Sequence, residues 1–342
     1  MLEEVGQWLE RRSFSCADRP LASLLAAKRA SGTRVSVVLP ALNEERTVGG
    51  IVSVIRRELM AGPEATGPAA TGPVAAHGPA GSAARDALVD ELVVLDSGST
   101  DRTGETAARA GARVVHRDEV LPRLPALPGK GEVLWRSLLV TSGDVVCFVD
   151  ADLEDFSADF VSGVVGPLLT DPRLRLVKAM YDRPLGDDPA GGGRVTELVA
   201  RPLLNLHWPQ LAGFVQPLGG EYAARRSLLE RLPFPVGYGV ELGLLVDALH
   251  TAGLDALAQV DVGVRHHRHQ SGQALGRMAA AIQHTAQLRM ARGGSRLVRP
   301  TLTQFERVAA APGGFAPRSH AIDTVERPPM REIEEYAERR AA

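Results

Sequence analysis

Three observations predict an α/β protein with a Rossmann-like, mostly parallel central sheet and helices on both of its faces. Apolar runs bounded by polar residues recur along the first half of the chain, in RVSVVLP, ELVVLD and DVVCFVD, and such runs suit strands that are covered on both sides. Segments of helical period separate them, an alternation that goes with parallel strands and right-handed crossovers. Each run also ends in polar residues, and open α/β sheets bind ligands at the carboxyl ends of their strands.

At 342 residues, 44% hydrophobic and 23% charged, the chain is long enough to bury a large core. A formal net charge of −2 gives no electrostatic footprint for nucleic acid or an anionic membrane, so a small-molecule partner is expected. No window approaches the roughly 18 apolar residues of a membrane span. The opening MLEEVGQWLERRSF places acids before any basic residue and lacks the apolar core of a signal peptide. Cys16 and Cys147 are far apart and Cys147 lies inside an apolar run; a buried free thiol and a cytoplasmic, reducing location follow.

Residues 1–33 read as a helical extension, with Trp8, Leu9, Leu21, Leu24 and Leu25 set among Glu and Arg. A nucleotide-binding half is expected over 34–165. It opens with a strand, Val35 to Leu39, broken by Pro40. A helix then starts at Asn43-Glu44-Glu45, where Asn43 can cap and the acids favour the positive helix end. In residues 61–85, Ala, Gly and Pro fill 18 of 25 positions, too little apolar bulk to order a backbone, which predicts a flexible loop. Order resumes with a strand at Leu92–Leu95, a turn over 96–100, a helix stopped by Gly111 and a strand at Val114–Val115. Lys130, between Gly129 and Gly131, opens a helix, and Val145–Val149 form the strand that ends in Asp150-Ala151-Asp152.

The second half, 166–295, is expected to bind the acceptor. RLVKAMY is strand-like, GGGRVTELVARPLLNLHW is a glycine turn opening a helix, GVELGLLVDALHTAG is a helix stopped at Gly253, and LAQVDVGVRHHRHQ is a strand ending in a basic cluster. The tail, 296–342, mixes Pro and charge, with an amphipathic helix from about Pro329 to Arg340 that packs on a neighbour or on a second subunit.

Two carboxylates one residue apart at a strand end can hold a divalent cation against a phosphate-bearing ligand, although a carboxylate-rich chain produces one such pair by chance. The companions at the other strand ends carry the argument. Pro40-Ala41-Leu42-Asn43-Glu44, Asp96-Ser97-Gly98 and Arg265-His266-His267 supply a helix start, small polar residues, a guanidinium and imidazoles. Flanking glycines let the backbone at Lys130 approach a ligand while its ammonium meets phosphate. Backbone amides freed by Gly193 and its neighbours, with Arg194 and Thr196, suit a phosphate or carboxylate; a glycine linker before a helix has the same composition. HHRH at 266–269 fits a metal ligand, a solvated basic face or a zinc site.

VVLPALNEE, VVLDSGSTDRT, PGKGEVLWRSL, FVDAD, GGGRVTELVARPLL, GEYAARRSLL, GYGVELGLLVD and GVRHHRH, in this order over residues 34 to about 270, resemble the glucosyl-3-phosphoglycerate synthases, retaining glycosyltransferases of actinobacteria with the GT-A fold. The resemblance implies transfer of glucose from UDP-glucose to the 2-hydroxyl of 3-phosphoglycerate, Mg²⁺ or Mn²⁺ as cofactor, and a homodimer. It implies metal binding by Asp152 and His267, and a donor site of Pro40, Ala41, Leu42, Glu44, Ser97, Lys130, Asp150, Ala151, Leu218, Glu241 and Arg265. It gives the acceptor to Gly193, Arg194, Val195, Thr196 and His269, and the chemistry to Glu241, Asp152, Lys130 and Arg265. Glu241 would orient the sugar or the acceptor hydroxyl, since retaining transfer can pass the acceptor proton to the leaving phosphate oxygen.

The chain departs from these relatives at His269 and Gln270, where they have Asn-Arg, and at Gly219 and Ala151, where they have serine. Those departures fall where acceptor or donor sugar would lie. Another acceptor, or GDP-linked glucose or mannose as donor, is the alternative. A sugar-phosphate nucleotidyltransferase is the rival of another class, and it would show a glycine-rich loop straight after the first strand, which LPALNEE lacks. A non-catalytic sugar-nucleotide sensor would not need both carboxylates with Lys130 and His267.

Overall fold

The computed structural model describes residues 2–60, 87–184, 192–266, 270–291, 301–307, 315–322 and 325–341. The Ala/Gly/Pro segment 61–85 lies outside the described residues.

The chain opens with α1 (Glu3–Arg12), β1 (Ser13–Ser15) and α2 (Leu21–Ser31). Next come β2 (Val35–Ala41), α3 (Val48–Leu59), β3 (Glu91–Asp96), α4 (Thr103–Arg109), β4 (Arg113–His116), α5 (Lys130–Val140) and β5 (Val145–Phe148). The middle contains α6 (Asp159–Thr170), β6 (Leu176–Asp182), a π-helical turn over Thr196–Ala200, α7 (Arg201–His207), β7 (Tyr222–Arg225), α8 (Arg226–Leu229) and β8 (Phe234–Pro235). It continues through α9 (Val240–Ala252), β9 (Leu257–Val264) and α10 (Gly272–Met290), and the tail adds β10 (Thr301–Arg307), β11 (Phe315–Ala321), β12 (Glu326–Arg327) and α11 (Glu334–Ala341).

One eight-stranded sheet, ordered β1-β9-β6-β7-β5-β2-β3-β4, passes through the whole molecule. β7 is antiparallel to β5 and β6, and the remaining pairs are parallel. Running backwards, β7 brings its amino end to the carboxyl ends of its neighbours, and that geometry decides which residues meet in the site. Alternation along the strands feeds two cores. Val37 and Leu39 point to one, shared with α2, α3 and α6, while Val38 points to the other, shared with α5, α9, α10 and α11. In α3, Val48, Ile51, Val52, Ile55 and Leu59 form the buried stripe of a helix lying on a sheet.

Four expectations are corrected. The N-terminal extension is not wholly helical, because β1 adds an edge strand beside β9. Trp8 in α1 is fully buried and its indole donates to the Leu257 carbonyl at 2.9 Å, a burial contributing on the order of 2–3 kcal/mol. Pro40 does not break β2. β5 pairs only with Val35–Val38, so on that side Pro40 has no ladder bond to lose.

The helix expected from Asn43 begins at Val48 instead, and Asn43 takes a left-handed φ of 59°. Its amide oxygen accepts from the Thr100 N–H at 2.9 Å, while the N–H groups of Asn43 and Glu44 donate to the hydroxyls of Ser99 and Thr103. Side chains of the second strand–helix turn thus satisfy the first one, and no helix is needed there. The tail helix is shorter than expected, starting at Glu334. Met330, Ile333 and Tyr336 are buried in this chain's own core, which covers that face without a second subunit.

Candidate active site at the carboxyl ends of the strands

A cavity of about 480 Å³ opens where β2, β3, β5, β6 and β9 end. It gathers Pro40, Ala41, Leu42, Glu44 and Ser97 from the first two strand ends with Lys130, Asp150, Ala151, Asp152, Glu241 and Arg265. Gly193, Arg194, Val195, Thr196 and Leu218 line it as well. Every candidate residue of the donor group, and the 193–196 segment, therefore faces one space. His267 and His269 lie outside the described residues.

Local sequence explains how each is held. Asp96 ends β3 and its carboxylate accepts from the N–H groups of Gly98 and Ser99 at 3.0 and 2.8 Å, which turns the chain and leaves Ser97 at the cavity, its hydroxyl accepting from Arg117 at 3.1 Å. The Thr47 hydroxyl donates to the Ala151 carbonyl at 2.6 Å, tying the two-aspartate turn to the start of α3. Gly129 has a φ of 125° and a Cβ there would overlap the Val236 carbonyl, while a Cβ on Gly131 would overlap the Pro235 carbonyl. Glycine is thus required on both sides of Lys130 for α5 to begin against β8. Arg194 donates to the Gln270 carbonyl at 3.2 Å, so the glycine-rich segment and the chain beyond the basic cluster are joined.

The centre is an ion-pair network. Lys130 pairs with Asp150 and, at 2.8 Å, with Glu241. Arg265 donates to Asp150 at 2.9 Å, to Asp152 at 3.1 Å and to Glu221 at 3.0 Å. The Tyr181 hydroxyl donates to the other oxygen of Glu221 at 2.7 Å. Burial opposes ionisation of Asp150, but Lys130 and Arg265 prevail and hold its carboxyl down to about 2. Asp152 goes the other way: burial first, then the neighbouring charge of Asp150, raise it above the usual carboxylate range. Burial also works against the charges of Lys130 and Arg265, and the surrounding carboxylates overcome it, leaving both well above their ordinary values.

The Asp152 side chain is 31% exposed at the cavity, with Arg265 on one of its oxygens at 3.1 Å. Its hard oxygen donors suit Mg²⁺ or Mn²⁺. Among the described residues no three His, Cys, Asp or Glu converge on one point, and Asp152 has there the chemistry of a single ligand.

Several residues of the site escaped the sequence reading. Glu221 is wholly buried and braces Arg265, Tyr181 braces Glu221, and Tyr238, 51% exposed, stands at the cavity. A Cβ on Gly220 would overlap both Asp150 and Lys130. The signal for Glu221 was present: an acid abutting the apolar run YAA, mirrored from Asp150 because β7 is reversed. Cys147 is free and buried as expected, and burial pushes its thiol far up. Among the described residues, no helix is long and apolar enough to cross a membrane.

No family model matches the chain. It is 47% identical over 328 residues to the glucosyl-3-phosphoglycerate synthase of Mycolicibacterium smegmatis, covering 95% of this chain and 97% of that one. A crystal structure of glucosyl-3-phosphoglycerate synthase from Mycobacterium tuberculosis, in complex with Mn²⁺, uridine diphosphate and phosphoglyceric acid, is similar with a TM-score of 0.76 at 44% identity, covering 92% of this chain and 95% of that chain. The crystal structure of mannosyl-3-phosphoglycerate synthase from Rubrobacter xylanophilus is similar with a TM-score of 0.80 at 38% identity, covering 96% and 97%.

Proposed function

This chain belongs to the glucosyl-3-phosphoglycerate synthase family, glycosyltransferases that make glucosyl-3-phosphoglycerate from UDP-glucose and 3-phosphoglycerate, and from that premise we propose how its own residues divide the work. The observation that carries the reading is the convergence of Lys130, Asp150, Asp152, Glu241 and Arg265 on the same cavity as Arg194 and Thr196. Two anionic ligands can then meet at one point.

The donor half is 34–165 and the acceptor half 166–295. Leu42, 52% exposed at the cavity, and Ala41 wall the base, with Glu44 and Ser97 accepting hydrogen bonds from uridine and its ribose. Asp150, kept ionised by its two cations, accepts from donor hydroxyls. Mg²⁺ or Mn²⁺ is the cofactor, bound by Asp152 with His267, and when bound it neutralises charge on the diphosphate as a Lewis acid. Lys130 and Arg265 add fixed positive charge where the leaving diphosphate becomes more negative. Gly193, Arg194, Val195 and Thr196, with His269, hold the acid groups of 3-phosphoglycerate. Glu241 orients the donor sugar or the acceptor hydroxyl. The bond from the sugar's anomeric carbon to the diphosphate breaks, a bond to the 2-hydroxyl oxygen forms on the same face, and the hydroxyl proton passes to the departing phosphate oxygen.

A mass-resolved assay with UDP-glucose and 3-phosphoglycerate tests this. Product and UDP in equal amounts, abolished by EDTA and by Asp152→Ala, are expected; transfer to neither phosphoglycerate nor glycerate overturns it. The likeness to a mannosyl-3-phosphoglycerate synthase favours one second reading, a mannose donor, and a GDP-mannose arm in the same assay decides it. Two free cysteines support a cytoplasmic enzyme. A homodimer is supported by the β10–β11 hairpin, which joins no other sheet among the described residues and so presents strand edges for pairing; sedimentation tests it.

A further inference from the structure

Lys178 lies in the middle of β6, within the otherwise apolar run Leu176–Met180, and is 2% exposed. Its Nζ donates to the Gly219 carbonyl at 2.8 Å and stands 4.6 Å from the centre of the Tyr222 ring on the adjoining strand. The acceptor it has found is a backbone carbonyl, not a carboxylate. Burial draws its ammonium down to about 8; Lys130 on α5 acts in the same direction, and Glu241 on α9, Glu221 and Asp150 act against it. A methionine would cover the same apolar surface without that cost of desolvation. Folding alone gives no reason for a lysine here.

The carbonyl it holds does. Gly219 sits between Leu218 and Gly220, all three on the cavity wall, and Gly220 leaves no room for a Cβ beside Lys130 and Asp150. The turn has its own bond, from the Gly219 N–H to the Gln216 carbonyl at 3.1 Å, which fixes its near side only. A shift of a few tenths of an ångström would open or close the space over the Lys130–Asp150 pair.

We propose that Lys178 is a positioning residue for donor binding: from beneath the cavity it anchors the Gly219 carbonyl and so sets the Leu218–Gly220 turn against Lys130 and Asp150. The inference rests on the reading that this part of the cavity receives the sugar nucleotide.

The test is steady-state kinetics on Lys178→Met and Lys178→Gln, with UDP-glucose and 3-phosphoglycerate varied in turn, beside melting temperatures and calorimetric UDP binding with Mn²⁺. For Lys178→Met, donor KM and UDP Kd rise about tenfold or more, acceptor KM stays within about twofold, and the melting temperature does not fall. Lys178→Gln, whose amide still donates to a carbonyl, recovers most of the donor affinity. Unchanged donor KM and UDP Kd, equal losses for both substrates, or a Lys178→Met protein that melts earlier or does not fold each overturn the proposal. If the parent protein binds UDP but glycosylates no phosphoglycerate, the functional reading fails instead, and UDP Kd across the variants still decides this one.

Discussion

The Lys130 ammonium lies 2.8 Å from a carboxylate oxygen of Glu241, so the first turns of α5 and α9 meet in a single charge pair inside the cavity. Lys130 also serves Asp150, and its removal leaves two carboxylates short of a cation. Lys130→Met is expected to lower kcat/KM by about 10²–10³-fold, the scale of one lost electrostatic group in a closed site. Lys130→Arg is not expected to restore it, since a planar fork cannot replace a compact ammonium between two carboxylates. Initial rates of UDP release, with circular dichroism to check folding, measure this.

Gly220→Ala probes the same pair from the opposite side. The added methyl must displace Asp150 or Lys130, and neither is a free end, since Asp150 is also held by Arg265. Activity is expected to fall at least about tenfold, with a stability loss of about 1–3 kcal/mol from overpacking. Parallel kinetic and urea-unfolding measurements on the variant separate the two effects.

The central strands were legible because burial on both faces writes itself as continuous apolar runs, in Val35–Leu39 and Val145–Val149 alike. β1 was not: Ser13-Phe14-Ser15 is short and mostly polar, and it is a strand only because β9 offers its backbone. Asn43 misled because the partner of its amide oxygen, Thr100, is remote in sequence. In the site, Asp150 and Asp152 stood out where an apolar run stops. Glu221 hid at the start of a strand, since nothing local tells that β7 runs against its neighbours. Lys178 hid differently, because a lone lysine in a strand ordinarily marks a solvated edge.

A tether from the tail reaches the first turn of α5. Arg327 in β12 donates to both oxygens of Glu132 at 2.7 and 2.8 Å, and Glu132, fully buried two residues after Lys130, also accepts from Arg136 at 2.6 Å. β12 pairs in turn with β8, whose Pro235 carbonyl abuts Gly131. Arg327→Ala leaves Glu132 half-served and is expected to cost about 1–3 kcal/mol. Thermal unfolding should show a melting temperature lower by several degrees, and turnover should drop with it as the Lys130 turn loosens.

Lys178 gives stability a pH dependence of a definite sign. Its folded value of about 8 lies below the ordinary 10.5, so between those two pH values the unfolded chain binds more protons than the folded one. Stability then rises with pH across that window. Below about 8 the ammonium is charged in both states, and its desolvation penalty is present in full. Lys178→Met lacks that penalty, so the stability of the variant relative to the parent should be greatest below about pH 8 and smaller at high pH by an amount on the order of 2–4 kcal/mol. The gap should then narrow as pH climbs from about 8 towards 10, because the parent sheds its proton and the variant has none to shed. Urea unfolding of both proteins at intervals across that range measures the difference directly, with unrelated titrations common to both cancelling. A gap that stays constant, or that widens with pH, would mean that Lys178 is not the buried cation described here.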